Sequence, residues 1–427
     1  MFQRKDGIVD FDKDWCIGCK ACIAACPYDA IFINPEDHTA EKCNLCAHRL
    51  EVGLEPACVV VCPTQAILVG DMNDPASKVA GIINREVVAV RRPEKDTRPK
   101  LFYKGAHQAT LDPLAARRPE GGIFMWSEQA GRLAGSTITS GSEPAVNART
   151  TSSAAAVLSY DIPHNRPWDW RVSAYTWTKG ISAGVYLVAV LLLLRGDLAA
   201  SSRLWKVGVP VICGVFLALT GALLVWDLKQ PTRFYYMFLR PQWKSWLVRG
   251  AVIITAYGGL LALHLFFGWV GNAGATRALA VAGIPIAAMT AVYTAYLFAQ
   301  AKARDLWQNP LLPAHFLVQA FLAGACVLAL AAPGRVEFVP LVVLTTLVHL
   351  LLVLGDVTLT HATAHARMAA RAITHGEFRN FFLLAVILSA MGLATPLIGV
   401  SGAAASLLGL LAWEHAHVQA GQSVPLA

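Results

Sequence analysis

The chain has 427 residues, of which 55% are apolar and 15% charged, with a formal net charge of +8 at pH 7. That apolar share excludes an ordinary soluble enzyme. The basic excess does not argue for nucleic acid, because much of it falls in short loops between apolar runs, where membrane topology accounts for it. The imbalance is local. Residues 1–170 are polar and hold most of the acids, whereas 176–418 contains long apolar runs that reach the roughly 20 residues a helix needs to span a hydrocarbon core. The opening stretch, Met1 to Asp14, is charged and mixed, without the apolar core or arginine pair of an export signal.

Eight of the ten cysteines fall between residues 16 and 62, and the other two, Cys213 and Cys326, lie in apolar spans. Such crowding reads as metal binding rather than a disulfide frame. Cys16, Cys19, Cys22 and Cys26, followed by Pro27, form a C-x2-C-x2-C-x3-C-P run, the spacing of a bacterial-type ferredoxin half. Three thiolates two residues apart can wrap one face of a cubane, and the fourth is carried off towards a neighbouring cluster. Cys43, Cys46, Cys58 and Cys62, followed by Pro63, repeat the x2 and x3 spacings around an 11-residue insert. Each run ends in a short apolar tail, Ala30-Ile-Phe and Ala66-Ile-Leu, expected to form matching strands, so the two halves read as an internal duplication. Zinc also takes paired C-x2-C elements, but it calls for neither the third cysteine nor the proline.

These residues resemble the ferredoxin-like electron-transfer subunits of molybdopterin oxidoreductases, the dimethyl sulfoxide and polysulfide reductase type. Trp15-Cys-Ile-Gly-Cys-Lys-Ala-Cys, Cys26-Pro-Tyr-Asp-Ala, Lys42-Cys-Asn-Leu-Cys-Ala-His-Arg-Leu, Pro56-Ala-Cys and Cys62-Pro-Thr-Gln-Ala carry the likeness. The resemblance implies [4Fe-4S] clusters and a separate molybdopterin-containing catalytic subunit. That family usually carries four cysteine motifs, and the two here correspond to its third and fourth. Lys5-Asp6-Gly7 is a turn signal, and Phe2-Gln-Arg reads as the stub of a strand begun earlier, which suggests a start upstream of Met1. On that reading each cysteine group shares its clusters with motifs further upstream. On the alternative, Cys16, Cys19, Cys22 and Cys62 hold one cluster and Cys26, Cys43, Cys46 and Cys58 the other.

Residues 71–126 read as a solvated surface loop, with Arg91, Arg92, Arg98 and Lys100 among prolines. From Gly135 to Ala156 the composition turns to Ser, Thr, Ala and Gly, the mark of a flexible linker. The expected organisation is a head over 1–110, an extension and linker over 111–160, and a membrane domain over 161–418. The fold class is therefore an α+β ferredoxin-like head followed by an all-α polytopic bundle of about eight helices. The expected spans are 177–194, 205–227, 248–270, 276–300, 312–333, 337–359, 380–397 and 399–416. Pro285, Pro340 and Pro396 are tolerable in lipid. An even number places both ends of the bundle on one side. On that side short loops hold ten Lys and Arg (229, 233, 240, 244, 249, 302, 304, 367, 371, 379), against five opposite (195, 203, 206, 277, 335). The split favours a cytoplasmic head on a bacterial inner membrane.

Arg166-Pro-Trp-Asp-Trp, Tyr175-Thr-Trp-Thr-Lys-Gly-Ile-Ser-Ala-Gly and Pro231-Thr-Arg-Phe-Tyr-Tyr are similar to the NrfD/polysulfide-reductase membrane anchors. This second likeness implies an eight-helix, haem-free subunit that reacts with menaquinone or ubiquinone. Quinone turnover requires an apolar slot, hydrogen-bonding groups for the ring oxygens and titratable groups. Ionisable residues within spans default to functional candidates. Lys179 and Asp227 lead as catalytic residues. Tyr175, Trp177, Arg233, Tyr235, His315 and Asp356 are the candidate quinone-binding set, all expected on the head side, with His361 and Trp246 nearby. His264, Tyr293, Tyr296 and His349 are expected farther away, on a proton path. Each has a plainer reading: Asp227 can pair with Arg233, and boundary aromatics commonly anchor helices at the interface. A redox-driven ion-translocating subunit is the alternative function.

Overall fold

The computed structural model describes residues 1–111 and 166–424, so the expected flexible linker lies outside the described residues. The chain divides into two units, the first holding residues 1–165 with the last four residues, the second Arg166–Ser423.

In the head, the described residues form three two-stranded antiparallel ladders: β1 Phe2–Gln3 with β2 Val9–Asp10, β3 Phe32–Ile33 with β4 Ala40–Glu41, and β5 Val88–Ala89 with β6 Tyr103–Lys104. The turn signal at Lys5-Asp6-Gly7 is borne out. Gly7 takes φ 86°, and the Asp6 carboxylate accepts from the Ile8 amide at 3.1 Å, the local side-chain bond that favours aspartate in turns. Of the tail after the first cysteine run only Phe32 enters a strand, β3, and Ala66-Ile-Leu forms no strand among the described residues. Ile67 and Leu68 are exposed, without a neighbouring strand to pair their backbone, so the two halves are not structural copies. The stretch expected to be a loop after residue 71 also departs from that reading. It holds an amphipathic helix, Lys78–Arg85, which buries Ala80, and the β5–β6 pair.

The second unit is helical: α1 Trp170–Arg195, α2 Val209–Asp227, α3 Trp246–Val270, α4 Ala273–Gln300, α5 Leu312–Ala331, α6 Phe338–Thr358, α7 Arg379–Ala390 and α8 Val400–Ser423. Among the described residues, seven helices are long and apolar enough to cross a membrane, with α2 extended back to Leu204 and α7 forward to Ile398. The last, α8, has 24 residues, about 36 Å of rise, but Glu414, His415, His417, Gln419 and Gln422 make it more polar than the rest. An amphipathic helix not anticipated from the sequence, Ala364–Thr374, joins α6 to α7.

The most enclosed spans are α1 and α5, buried over 78% and 67% of their apolar windows, against 28% for α2, α3 and α6. The two enclosed helices meet backbone to backbone. A Cβ on Gly184 would collide with the Ala320 carbonyl, and one on Gly324 with the Gly184 backbone. Small residues permit this approach where lipid offers no hydrophobic drive of its own. The Trp168 amide donates to Gln422 Oε1 at 3.0 Å, and Gln419 Nε2 donates back to the Trp168 carbonyl at 3.3 Å. The beginning of α1 and the end of α8 thus meet at one end of the bundle, here called proximal.

Candidate functional site

Two constellations carry chemistry, one in each unit. In the head, the cysteine runs contain residues with positive φ: Gly18 (66°), Lys20 (62°), Leu45 (57°) and Cys46 (52°). These left-handed positions curl each C-x2-C segment tightly. Cys16, Cys19 and Cys22 stand close enough for their charges to interact. The Ala40 amide donates to Cys16 Sγ at 3.4 Å and the Ala66 amide to Cys62 Sγ at 3.1 Å, the kind of N–H···S contact that tunes cluster thiolates. Lys13 Nζ lies 2.8 Å from Asp37 and also contacts Glu41, tying the segment before Cys16 to the β3–β4 hairpin. Among the described residues no three Cys, His, Asp or Glu converge as ligands of one metal ion would. A cubane gives each thiolate its own iron, so its ligands stand farther apart. An all-sulfur donor set on tight loops, with amides directed at sulfur, fits such a cluster.

In the membrane unit, Lys179 on α1 is fully buried. Its ammonium donates to the Ala291 carbonyl at 2.8 Å and the Thr294 hydroxyl at 2.6 Å, both on α4. It also lies over the rings of Tyr293 and Phe316, 4.6 and 5.1 Å from their centroids. Tyr175, one turn earlier on α1, is also buried. Glu414 of α8 faces Lys179 electrostatically, and the nearby Thr176 hydroxyl donates to the Ser173 carbonyl at 2.7 Å.

Beside this pair, a small cavity lies between α5 and α8, lined by Leu312, His315, Phe316, Gln319, Trp413, Glu414, His417 and Val418. It has room for about one water molecule. Buried polar atoms without a hydrogen-bond partner gather on its lining: Gln319 Oε1, Glu414 Oε2, and both ring nitrogens of His417. Buried polar groups are ordinarily paired, so this concentration marks a place suited to a polar ligand. His315 continues the network. Its Nδ1 lies 3.2 Å from Asp356 Oδ2, and its Nε2 lies 3.2 Å from His349 Nδ1. Asn309 Nδ2 donates to the other Asp356 oxygen at 2.7 Å.

Of the residues expected from the sequence, Lys179, Tyr175, His315 and Asp356 come together around this cavity and its network. Asp227 does not line it. It sits at the end of α2, 3.9 Å from Arg171. The Trp177 indole donates to the Leu407 carbonyl at 3.0 Å and ties α1 to α8. Arg233 and Tyr235 lie on the loop after α2, where Tyr235 packs edge-on against Tyr236, so neither lines the cavity.

The separation of His349, Tyr293 and Tyr296 from the head-side set is also corrected. His349 bonds His315, Tyr293 cradles Lys179, and Tyr296 stacks on Trp246 at 4.5 Å, near the proximal end. Antiparallel packing brings late residues of α4 level with early residues of α1. His264 does lie apart, near the distal end of α3, packed 4.4 Å from the ring of Trp205. Glu414, His417 and Gln319 were missed. The signal was present: an acid and a histidine one turn apart inside an apolar run, the same criterion that selected Lys179.

A cysteine-rich head joined to a polytopic helical domain defines an iron–sulfur membrane protein. Residues 1–72 match the family model for a 4Fe-4S dicluster domain, and residues 160–409 match that for polysulphide reductase, NrfD. The chain belongs to the NrfD polysulphide reductase family. It is 46% identical over 129 residues to a subunit of tetrathionate reductase from Salmonella typhimurium, covering 30% of this chain and 50% of that one. It is 45% identical over 102 residues to a polypeptide of polysulfide reductase from Wolinella succinogenes, covering 24% and 53%. To protein NrfC of Escherichia coli K12 it is 42% identical over 97 residues, covering 22% and 44%. The chain spans about half the length of the curated relatives it matches.

Proposed function

We propose that this chain relays electrons between the membrane quinone pool, menaquinone or ubiquinone, and a separate molybdopterin-containing catalytic subunit. The candidate cluster ligands are Cys16, Cys19, Cys22, Cys26, Cys43, Cys46, Cys58 and Cys62. When bound, [4Fe-4S] clusters supply one-electron carriers. A catalytic partner is in keeping with relatives named as reductase subunits. A head on the cytoplasmic face follows from the Lys and Arg bias of the loops.

The observation that carries the quinone reading is the gathering of unpaired buried Gln319, Glu414 and His417 atoms on one lining beside Lys179. Leu312, Phe316, Trp413 and Val418 give that lining its apolar surface. The ring oxygens of a quinone would take hydrogen bonds from His417 and Lys179, and Glu414 would exchange a proton. A headgroup larger than one water molecule must part the α5–α8 seam to enter. Glu414 replaces Asp227 as the stronger catalytic candidate, because it faces the cavity.

The test is to add quinol to anaerobic membranes containing the chain and record the iron–sulfur EPR signal. Reduction blocked by a quinone-site inhibitor, and slowed in Glu414→Gln, is the expected result. Clusters that are reducible by dithionite but ignore quinol would overturn the proposal.

A further inference from the structure

We propose that Asp356, reached from the cavity through His315, is the proton exit of the quinone site. This rests on the quinone reading. His315 lines the cavity and uses both ring nitrogens, Nδ1 towards Asp356 and Nε2 towards His349, each at 3.2 Å. Such an imidazole passes a proton by releasing it from one nitrogen and taking its replacement on the other.

The gradient of burial gives the direction. The His315 side chain is 3% exposed and that of Asp356 12%. Asp356 stands two residues from the proximal end of α6, whereas His349, seven residues deeper and about 10 Å along the helix, is enclosed against Trp413. Asn309 donates to Asp356 Oδ1 and thereby leaves Oδ2 to the imidazole. The titratable groups facing Asp356 are His315 from α5, His417 from α8 and His361 beyond α6. Those facing His349 include His315.

The balance closes. Oxidation of one quinol to quinone releases two electrons and two protons. The electrons go one at a time to the iron–sulfur head. The protons leave the ring oxygens for bases of the cavity; each is taken up by His315 Nε2, which gives up its contact with His349 to receive it, while Nδ1 releases its own proton to Asp356 and on to water at the proximal face. Asp356 is not in the cavity lining, so its part is to carry protons rather than to hold the ring.

The experiment compares Asp356→Asn and Asp356→Glu in the full chain in native membranes. The amide keeps the shape of the carboxylate but cannot carry its proton. Asp356→Asn is expected to lower steady-state quinol oxidation about tenfold or more, with KM for quinol within about twofold and the same final extent of cluster reduction. It should also change the pH–rate profile, and imidazole or another small base should restore part of the rate. Asp356→Glu should retain most of it. An Asp356→Asn protein with the parent's rate and pH profile, or a loss shared by Asp356→Glu and insensitive to added base, overturns the relay alone. If quinol fails to reduce the clusters of the unsubstituted chain, relay and quinone site fall together.

Discussion

The Lys179 ammonium and the Thr294 hydroxyl lie 2.6 Å apart, which pins α1 to α4 through a cation removed from water. A buried cation is sustained by acceptors, aromatic faces and an opposite charge. Ala291, Thr294, two aromatic faces and Glu414 supply them here.

Removing one member of that arrangement should cost more than removing both. Lys179→Met leaves Glu414 without its counter-charge and is expected to destabilise the bundle by about 3–5 kcal/mol. Adding Glu414→Gln should recover part of that loss. Unfolding of the purified chain in detergent, read for both single variants and the double variant, measures the coupling. Strictly additive losses would show that the two side chains do not interact.

Glu414 and Asp227 should separate kinetically. Glu414→Gln is expected to slow quinol-driven cluster reduction by about tenfold or more. Asp227→Asn, at the end of α2 beside Arg171, should change it by less than about threefold. Stopped-flow optical spectroscopy of the clusters ranks the two, and the reverse order would move the site towards the α1–α2 end.

The α1–α5 crossing should tolerate no side chain at its closest point. Gly184→Ala drives a methyl group into the Ala320 carbonyl and is expected to cost about 1–3 kcal/mol. Gly180→Ala, where an added Cβ meets nothing within 4 Å, should be close to neutral. Thermal unfolding of the two variants gives the comparison, and equal stabilities would argue against close backbone packing there.

Cluster loss should be confined to the head. Cys19→Ser is expected to lower iron and acid-labile sulfide by about half if the head carries two clusters that assemble independently. The helical circular dichroism of the membrane unit should stay unchanged. A chain whose metal content proves to be zinc, with no labile sulfide, would remove the electron-transfer reading.

The sequence by itself determined the class of the protein. Cysteine spacing is local information, because Cys16, Cys19 and Cys22 must be neighbours along the chain to curl around one cluster. Membrane spans are equally local, because lipid obliges each crossing to satisfy its own backbone within about 20 apolar residues. Lys179, Tyr175, His315 and Asp356 could be singled out because polar groups are costly in an apolar run.

Tertiary structure decided the partnerships. Nothing near residue 179 in the chain points to Glu414, 235 positions later, or to Thr294. Antiparallel packing brings α1, α4, α5 and α8 together, and Gly184 and Gly324 let α1 and α5 close up. The same packing left Asp227, Arg233 and Tyr235 outside the cavity lining, and it joined His349, which sequence reasoning had set apart, to His315. Burial cost can be read one residue at a time. The group that offsets it is chosen by how the helices pack.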